Sequence, residues 1–488
     1  MSKNIILCAD GTGNKGGYTP DSNVYKMYNA VEIHDTAVPQ YTFYDNGVGT
    51  STNKYWRAIT GGIGLGIRDN IKDLYQFLAL HYEPGDRVYL FGFSRGAATI
   101  RAFCGMIKAV GLVKGNGLDD RDLKNYTNDA FKAYESHLKN PEKARDFRKH
   151  NHSHNIIDIH FVGVWDTVAA LGFPKRTDKT SITLFVLSAA FKMLEKLSNK
   201  IWPHKFYNYE LSDNIKFACQ ALAIDDERTA FWPLVWDEKG RDSGSVDQVW
   251  FAGMHSNVGG GYERQGIANV AFHWMMLRAE NHGMTFKHGV LDKVYQDSNI
   301  HGRLYNSRDG LAVYYRYHPR EIQKLCDKKL SGSIKLHCSA LERMRKRTAN
   351  YAPFVLPDKF SVVDSAGTEV KSVDTSQNDE VIKQQDTVNS MINKRKWLYG
   401  NLADLTLLML AYIIYMSCTN NPDGVSLLSL VIDSVSKGDV IALLKNLYEY
   451  HLHAVFVFFT LGLCLAVKRA SVIEKMIAAA EKVRKAIV

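Results

Sequence analysis

The chain has 488 residues, of which 45% are apolar and 23% are charged, a composition that is typical of globular domains and excludes a wholly disordered protein. Lys and Arg outnumber Asp and Glu by 61 to 51, and the resulting charge of +10 suits anionic lipid, nucleic acid or simple solubility. The seven cysteines are scattered without a CxxC pair, which argues against structural zinc and against a disulfide framework. We therefore expect two or three domains in a reducing compartment.

Residues 1–355 alternate between strand and helix patterns. Five short apolar runs, rich in β-branched and aromatic residues, have the length of buried strands: NIILCAD, QYTFYDN, RVYLFGF, IDIHFVGVW and DQVWFAG. Between the second and third runs, Ile67, Ile71, Leu74 and Leu78 repeat at the spacing of one helix face. Strands that alternate with helices predict an α/β fold with a mostly parallel sheet and helices on both faces.

The first predicted strand ends in the glycine-rich loop ADGTGN, residues 9–14. Glycine lets a backbone approach a substrate closely, and the oxyanion hole of many serine hydrolases takes one N–H group from such an early loop. Gly11 and Thr12 are therefore candidate oxyanion-hole residues. Asp10 is expected to brace the loop through hydrogen bonds rather than to bind a metal ion.

The third run leads into Gly92-Phe93-Ser94-Arg95-Gly96, a GxSxG motif between a strand pattern and a helix pattern. In this context the motif predicts a sharp strand-to-helix turn that lifts a nucleophilic serine, Ser94, above the sheet edge. The backbone N–H of Arg95 would then face a developing oxyanion at the start of the helix. The alternative is a plain tight turn after a strand.

A serine nucleophile needs a base and an orienting carboxylate, which follow it in the order acid, then histidine, on this architecture. Asp166 follows the fourth strand pattern and His255 follows the fifth, so both are expected at the carboxyl edge of the sheet. Asp225 and Asp226 are alternative acids, because Asp166 could instead serve a turn or cap a helix. His255 could likewise cap a surface loop.

An insertion follows the proposed acid and contains the apolar run ITLFVLSAAF at residues 182–191. Such a run could form a lid helix at a lipid interface or part of the core, and the sequence favours neither. An occluding lid around residues 176–205 would keep a membrane-damaging enzyme inactive until it is needed.

The composition changes twice after residue 355. Residues 356–393 are polar and are expected to form a linker, and residues 394–488 contain two apolar blocks, 397–418 and 450–467. Each block is just long enough to cross a bilayer core of about 30 Å, and the basic residues outside the pair predict a membrane hairpin with both ends in the cytoplasm. The alternative is a buried hairpin that forms oligomers in water. The last helical pattern pairs an apolar face with basic residues, which predicts either a helix that lies on anionic lipid or an assembly helix.

Six sequence blocks occur here in the order found in one family: DGTGN, YDNGVGT, GFSRGA, GVWDTV, ALAIDDERTAFWP and GMHSNVGGGY. Residues 3–355 thereby resemble the catalytic domain of the type VI secretion phospholipase effectors of the first lipase class, and GRLYNSRDGLAVYYRYHPR, residues 302–320, resembles a further block of that group. The resemblance implies an α/β-hydrolase fold, a bacterial origin and hydrolysis of phospholipid esters. It also implies Ser94 as nucleophile, Asp166 as acid and His255 as base. Asn257 departs from the family, which commonly has Asp at this position.

The sequence thus predicts a serine hydrolase that acts on membrane glycerophospholipids through an acyl-enzyme intermediate, without a cofactor or a metal ion. Its expected partners are membrane phospholipid, the bacterial inner membrane, and either a second copy of the chain or an immunity or regulatory protein, but not nucleic acid. The hydrolase domain would face the cytoplasm and damage either a rival cell or its own cell during phage infection. The alternatives are a carboxylesterase for small soluble esters and a non-catalytic membrane scaffold.

Overall fold

The computed structural model describes residues 2–18, 20–34, 37–47, 66–150, 153–168, 207–309, 312, 315–418 and 440–488. The described residues form one nine-stranded sheet: β1 (Asn4–Ala9), β2 (Gln40–Asp45), β3 (Arg87–Phe93), β4 (Ile159–Trp165), β5 (Ile215–Ala223), β6 (Val246–Phe251), β7 (Ile334–His337), β8 (Lys359–Val363) and β9 (Glu369–Asp374). The five predicted strands are β1, β2, β3, β4 and β6, and they are confirmed. The remaining strands lie where the sequence gives a weaker apolar signal.

The strands lie in the order β2-β1-β3-β4-β5-β6-β7-β8-β9, and among them only β9 runs antiparallel to its neighbour. The prediction of a mostly parallel sheet is therefore confirmed. The chain order reverses between the neighbouring strands β1 and β3. Open parallel sheets bind their ligands beyond the carboxyl ends of the strands at such a reversal. The loops that follow β1 and β3 are thus the expected position of a site.

Helices cover both faces of the sheet. One core layer joins the sheet to α2 (Ile67–His81), α3 (Arg95–Val110) and α4 (Asp120–Ser136). A second layer joins the other face of the sheet to α1 (Asn23–Ala30) and α7 (Gly266–Asn281). Helix α2 buries Ile67, Ile71, Leu74 and Leu78, the face that their spacing predicts. The described helices are α1 (Asn23–Ala30), α2 (Ile67–His81), α3 (Arg95–Val110), α4 (Asp120–Ser136), α5 (Pro141–His150), α6 (His255–Gly259), α7 (Gly266–Asn281), α8 (Val290–Gln296), α9 (Ile322–Cys326), α10 (Cys338–Arg345), α11 (Asp379–Cys418) and α12 (Val440–Ile487).

The prediction of a linker at residues 356–393 is wrong. The structure places β8, β9 and the first turns of α11 there. Phe360 and Val362 of β8 are buried, but in the edge strand β9 Val373 is the one buried side chain. An edge strand can leave most of its side chains in water. The polar composition of this segment therefore concealed two strands.

Helices α11 and α12 lie alongside each other and run in opposite directions. The guanidinium of Arg469 lies 5.5 Å from the ring centroid of Tyr399, and the rings of Tyr412 and Phe458 are 6.1 Å apart farther along. The two apolar blocks of the sequence lie within these helices. The chain thus carries a long helical hairpin after the sheet.

The two ends of this hairpin have different surroundings. Its beginning and end, residues 388–399 and 472–487, pack on the sheet domain, and we call this part the hairpin root. Among the described residues, one helical stretch, Phe456–Ile487, is long and apolar enough to cross a membrane by length and composition. Soluble proteins also contain helices of this length and composition. These two properties therefore make the stretch a candidate membrane span and no more.

Candidate active site

The GxSxG motif forms a sharp turn between β3 and α3. Ser94 has a φ of 57° and a ψ of −121°, a conformation that is strained for a residue with a side chain. A Cβ atom on Gly96 would overlap the backbone carbonyl oxygen of Ala9, and one on Gly92 would lie 2.7 Å from the Ala97 Cα. Both glycines are therefore needed for α3 to approach the sheet. The turn has the shape of a nucleophile elbow.

Ser94, His255 and Asp166 form a continuous chain of hydrogen bonds. The Ser94 Oγ lies 2.7 Å from His255 Nε2, and His255 Nδ1 lies 2.5 Å from Asp166 Oδ2. Each of the three side chains follows the end of a strand: β3, β6 and β4, respectively. All three residues are buried, with at most 8% exposure. The structure thus brings together the three predicted residues in the geometry of a nucleophile, a base and an orienting carboxylate.

The carboxylate of Asp166 is held by Arg320, a residue that the sequence analysis did not identify. Arg320 Nη1 and Nη2 donate to Asp166 Oδ1 and Oδ2 at 2.6 and 2.7 Å, and Arg320 is fully buried. The backbone N–H of Ala223 adds a third hydrogen bond at 2.9 Å. Burial alone would raise the pKa of Asp166, but Arg320 and His255 outweigh it and hold that pKa well below its ordinary value. The carboxylate therefore stays ionised beside the imidazole.

The two alternative acids lie nearby but have other partners. Asp226 Oδ2 accepts a hydrogen bond from the backbone N–H of His255 at 3.3 Å, and the carboxylate pairs with Arg228 at 2.6 and 3.0 Å. Asp225 accepts a hydrogen bond from the Tyr351 hydroxyl at 2.8 Å, and burial raises its pKa to about 6. In the described structure neither carboxylate is hydrogen-bonded to the imidazole ring. The geometry therefore favours the carboxylate at the end of β4.

The loop after β1 is organised by Asp10, as predicted. The Asp10 carboxylate accepts hydrogen bonds from the hydroxyls of Ser22 and Tyr44 at 2.5 and 2.7 Å. It also accepts one from the backbone N–H of Gly11 at 2.6 Å. This contact corrects the oxyanion-hole assignment of Gly11, because its N–H already serves the buried carboxylate. A buried carboxylate needs such donors, and the sequence did not indicate that the Gly11 N–H would be one of them.

Thr12 and Arg95 remain candidate oxyanion-hole residues. The Thr12 hydroxyl is buried and has no hydrogen-bond partner among the described residues. Arg95 is the first residue of α3, and a backbone N–H at this position has no partner within the helix. A Cβ built on Gly11 would lie 3.3 Å from the Ser94 Cβ, so this loop lies against the nucleophile. The backbone N–H of Arg95 thus directly follows Ser94, and Thr12 belongs to the loop that lies against Ser94.

Two aromatic rings enclose His255. The ring centroids of Phe93 and Phe231 lie 4.6 and 5.0 Å from that of the imidazole. Burial lowers the pKa of His255, although the neighbouring Asp166 opposes this effect. A neutral imidazole whose Nδ1 proton is bound by a carboxylate presents Nε2 as an acceptor. This is the protonation state that a general base for Ser94 requires.

Asn257, two residues after His255, is buried. Its Oδ1 accepts hydrogen bonds from the backbone N–H groups of Met254 and Tyr305 at 3.3 and 3.2 Å, so it joins the start of α6 to a neighbouring segment.

In the described part of the chain, no group of three or more His, Cys, Asp or Glu side chains could hold a metal ion. The lid that was expected at residues 176–205 lies outside the described residues.

Comparisons with known proteins give one family match and several distant similarities. The family model described as T6SS, phospholipase effector Tle1-like, catalytic domain, matches residues 3–278, more than half of the chain. The uncharacterized protein YEL023C of Saccharomyces cerevisiae is 31% identical over 192 residues, which cover 35% of this chain and 27% of that protein. The chain therefore matches about a quarter of the yeast protein.

Two solved structures are similar at low sequence identity. An uncharacterized protein from Pseudomonas aeruginosa has 15% identity and a TM-score of 0.35, and the match covers 82% of this chain and 59% of that chain. The Tle1 effector bound to the VgrG spike of the type 6 secretion system has 13% identity and a TM-score of 0.33, over 64% of this chain and 78% of that chain. The match to the Pseudomonas protein spans less than two thirds of its length.

Proposed function

Because the chain belongs to the Tle1-like phospholipase effector family of type VI secretion, we propose that it is a serine phospholipase that cleaves acyl esters of membrane glycerophospholipids. Membership of this family indicates a hydrolase that acts on phospholipid. The observation that carries the serine mechanism is the chain of hydrogen bonds from Ser94 through His255 to Asp166. The order of these residues along the chain supports an α/β-hydrolase arrangement.

In this mechanism the Ser94 Oγ attacks the ester carbonyl carbon while His255 Nε2 takes the hydroxyl proton. The carbonyl oxygen becomes an oxyanion, which the backbone N–H of Arg95 would stabilise. Collapse of the tetrahedral intermediate breaks the ester C–O bond, and the imidazolium returns its proton to the departing lysophospholipid oxygen. Water, activated by the same imidazole, then releases the fatty acid from the serine. Asp166 stabilises the imidazolium in both steps.

The proposal is tested by comparing hydrolysis of phospholipid vesicles with hydrolysis of a soluble short-chain ester. We expect fatty acid and lysophospholipid from vesicles of phosphatidylethanolamine and phosphatidylglycerol, at a higher rate than from the soluble ester. Activity on the soluble ester alone would favour a carboxylesterase. A folded protein that hydrolyses neither substrate and resists a fluorophosphonate probe would be a non-catalytic scaffold.

Attachment to a membrane is supported by the part of the hairpin beyond its root. Phe456, Phe459 and Leu463 are 68%, 68% and 54% exposed, and apolar side chains exposed together mark an interaction surface. From Tyr399 to Cys418, α11 extends about 28 Å at the usual helical rise. This length is close to the bilayer core of about 30 Å. We propose that this part of the hairpin inserts into lipid.

A basic groove of about 540 Å³ lies where the root meets this apolar part. Three lysines and a tryptophan line it: Lys394, Lys468, Lys475 and Trp397. Lysines at this level attract anionic head groups, and tryptophan prefers the interface between lipid and water. The groove supports a root that rests on the cytoplasmic leaflet of a bacterial inner membrane, with the hydrolase domain on the same side.

Replacing Phe456 and Phe459 by aspartate is expected to move the protein from the membrane pellet to the supernatant. Each aspartate within a membrane helix costs about 2.5–3.5 kcal/mol. Both side chains are largely exposed, so the change should leave the sheet domain intact. Hydrolysis of vesicles should fall at least about tenfold because several kcal/mol of membrane affinity are lost. Hydrolysis of a soluble ester should be unchanged, and sedimentation with activity assays on both substrates measures the effect.

A matched control for the hairpin substitution is Tyr295→Asp, which changes an aromatic residue that is 67% exposed on α8. It should leave membrane binding intact. Wild-type protein that stays in the supernatant after ultracentrifugation without detergent would contradict insertion. The hairpin would then be better explained as a soluble oligomerisation element.

The pH dependence of the soluble-ester reaction should reflect the buried imidazole. Protonated His255 cannot accept the Ser94 proton, so activity is lost as the pH falls through the pKa of His255. Because burial lowers that pKa against the opposing effect of Asp166 and Asp226, the midpoint of the acid limb of kcat/KM should lie below 6.5, the ordinary pKa of histidine. A pH–rate profile measures this limb. An acid limb with its midpoint above 6.5, the ordinary pKa of histidine, would argue against a buried and neutral His255.

The family is one of secreted effectors, so the membrane of a rival cell is one target. The membrane of the producing cell during phage infection is the other. A gene for an immunity protein beside this one would favour the rival cell, because a producing cell then needs protection from its own enzyme. A second copy of the chain is the alternative partner that could control activity.

A further inference from the structure

The hairpin root is bonded to the segments that support the catalytic residues. Arg395 of α11 is 6% exposed, although it is one of the basic residues outside the two apolar blocks from which the orientation of a membrane hairpin is predicted. Its Nη1 donates to Glu227 Oε1 at 2.8 Å and to the Tyr317 hydroxyl at 3.0 Å. A buried guanidinium without such partners would be strongly destabilising. Arg395 therefore fixes the root to two segments of the sheet domain.

Each of these two segments also contacts the catalytic residues. Glu227 directly follows Asp226, whose carboxylate accepts the backbone N–H of His255 at 3.3 Å. Tyr317 lies three residues before Arg320, which binds both oxygens of the catalytic carboxylate at 2.6 and 2.7 Å. Glu227, the first partner of Arg395, is thus next to the residue that holds His255. Tyr317, its second partner, is three residues from the arginine that holds Asp166.

The two segments are also bonded to each other. The backbone N–H of His318 donates to the Glu227 carbonyl at 2.8 Å, and a β-bridge joins Arg228 to Tyr317. A shift of one segment therefore displaces the other. Because a misplacement of about 1 Å can reduce an enzymatic rate about a hundredfold, small shifts here would alter the catalytic step.

We infer that Arg395 is a positioning residue, through which the hairpin root keeps Asp166 and His255 in their catalytic geometry. Arg395 does not touch the reacting atoms and acts through Glu227 and Tyr317. The contact of the hairpin root with the sheet domain is thereby coupled to the rate of ester hydrolysis. This inference rests on the proposed function, since it takes Ser94 as the nucleophile.

The test uses variants of the full-length chain and a soluble ester, so that membrane binding does not enter the rate. Arg395→Gln removes the charge, Arg395→Lys restores it without the planar fork, and Tyr317→Phe removes only one acceptor. We expect Arg395→Gln to lower kcat about tenfold, with KM unchanged because the residue does not contact substrate. Arg395→Lys should recover part of the loss, and Tyr317→Phe should show a smaller decrease.

Labelling of Ser94 by a fluorophosphonate should slow in parallel with kcat in each variant. Lys383→Gln is the matched control, because it removes a charge from an exposed position on the same helix and should change neither rate. Folded Arg395→Gln protein with wild-type kcat would overturn the inference. If that variant does not fold, Tyr317→Phe decides, because loss of one hydroxyl is a mild change: wild-type kcat overturns the inference and a lower kcat supports it. Failure of wild-type protein to label would instead reject the proposed function.

Discussion

Replacing Ser94 by alanine is expected to reduce ester hydrolysis by a factor of about 10⁴ to 10⁶, the range found when a catalytic triad loses its nucleophile. The substitution removes one hydroxyl, whose hydrogen bond goes to His255 Nε2, and leaves the backbone turn unchanged. The free energy of unfolding should therefore stay close to that of the wild type. Initial rates, fluorophosphonate labelling and thermal unfolding of the same preparations measure the three effects.

The partners of Ser94 provide the controls for this result. His255→Ala should reduce the rate by a similar factor because the members of a triad act as a unit. Asp166→Asn should reduce it less, by a factor of about 10³ to 10⁴, because the imidazole loses its orienting charge. Asp225→Asn and Asp226→Asn are the matched changes at the rival acids. A nearly silent Asp166→Asn together with a large loss at either rival would show that the acid is wrongly assigned.

The sequence predicted the parts of the fold and the site that depend on local patterns. Strands β1, β3 and β4 are continuous apolar runs, because both faces of a central parallel strand are buried. The elbow at Ser94 needs small residues at two fixed positions, and these steric requirements appear within five consecutive letters. Asp166 could be placed because it directly follows β4, and His255 because it lies four residues after the end of β6. The local sequence was sufficient to predict those features in which burial or a steric requirement fixes the residue types of a short segment.

The features that the sequence did not predict depend on distant contacts. Strand β5, IKFACQALA, is buried along most of its length but has small side chains, so its pattern resembles that of a helix. Arg320 lies 154 residues from the Asp166 that it binds, and an isolated arginine carries no local sign of burial. The one available signal was its position in the family-like block GRLYNSRDGLAVYYRYHPR. The correction at Gly11 likewise arises from a side-chain orientation of Asp10.

Replacing Arg320 by methionine is expected to affect both activity and stability. The change leaves the buried Asp166 carboxylate without its bidentate partner, and breaking such a pair costs about 3–5 kcal/mol. Because Arg320 helps to hold the pKa of Asp166 low, its loss should raise that pKa. A partly protonated acid orients the imidazole poorly, so kcat should fall by a factor approaching that of Asp166→Asn. Chemical denaturation and initial rates on a soluble ester measure the two effects.

The pH dependence of stability separates this charge effect from a packing defect. In the wild type the lowered pKa of Asp166 adds to the free energy of unfolding at any pH above the ordinary pKa of aspartate. This contribution is lost as the pH falls through the lowered pKa. In Arg320→Met the carboxyl can take up a proton at higher pH, so the loss of unfolding free energy should be greater at pH 7 than at pH 5. An equal loss of unfolding free energy at pH 7 and pH 5 would indicate a packing defect instead.

A second buried arginine supplies the control for catalysis. Arg343 is 1% exposed and donates to the backbone carbonyls of Ile300 and Gly302, so Arg343→Met should destabilise the fold with little change in kcat. The double variant Arg320→Met with Asp166→Leu removes both charges, and its stability should recover because no carboxylate is left unpaired. Its activity should stay low because the imidazole then has no orienting acid. If Arg320→Met instead keeps the wild-type kcat at pH 7, Asp166 must orient His255 without the guanidinium, and the role of Arg320 is structural.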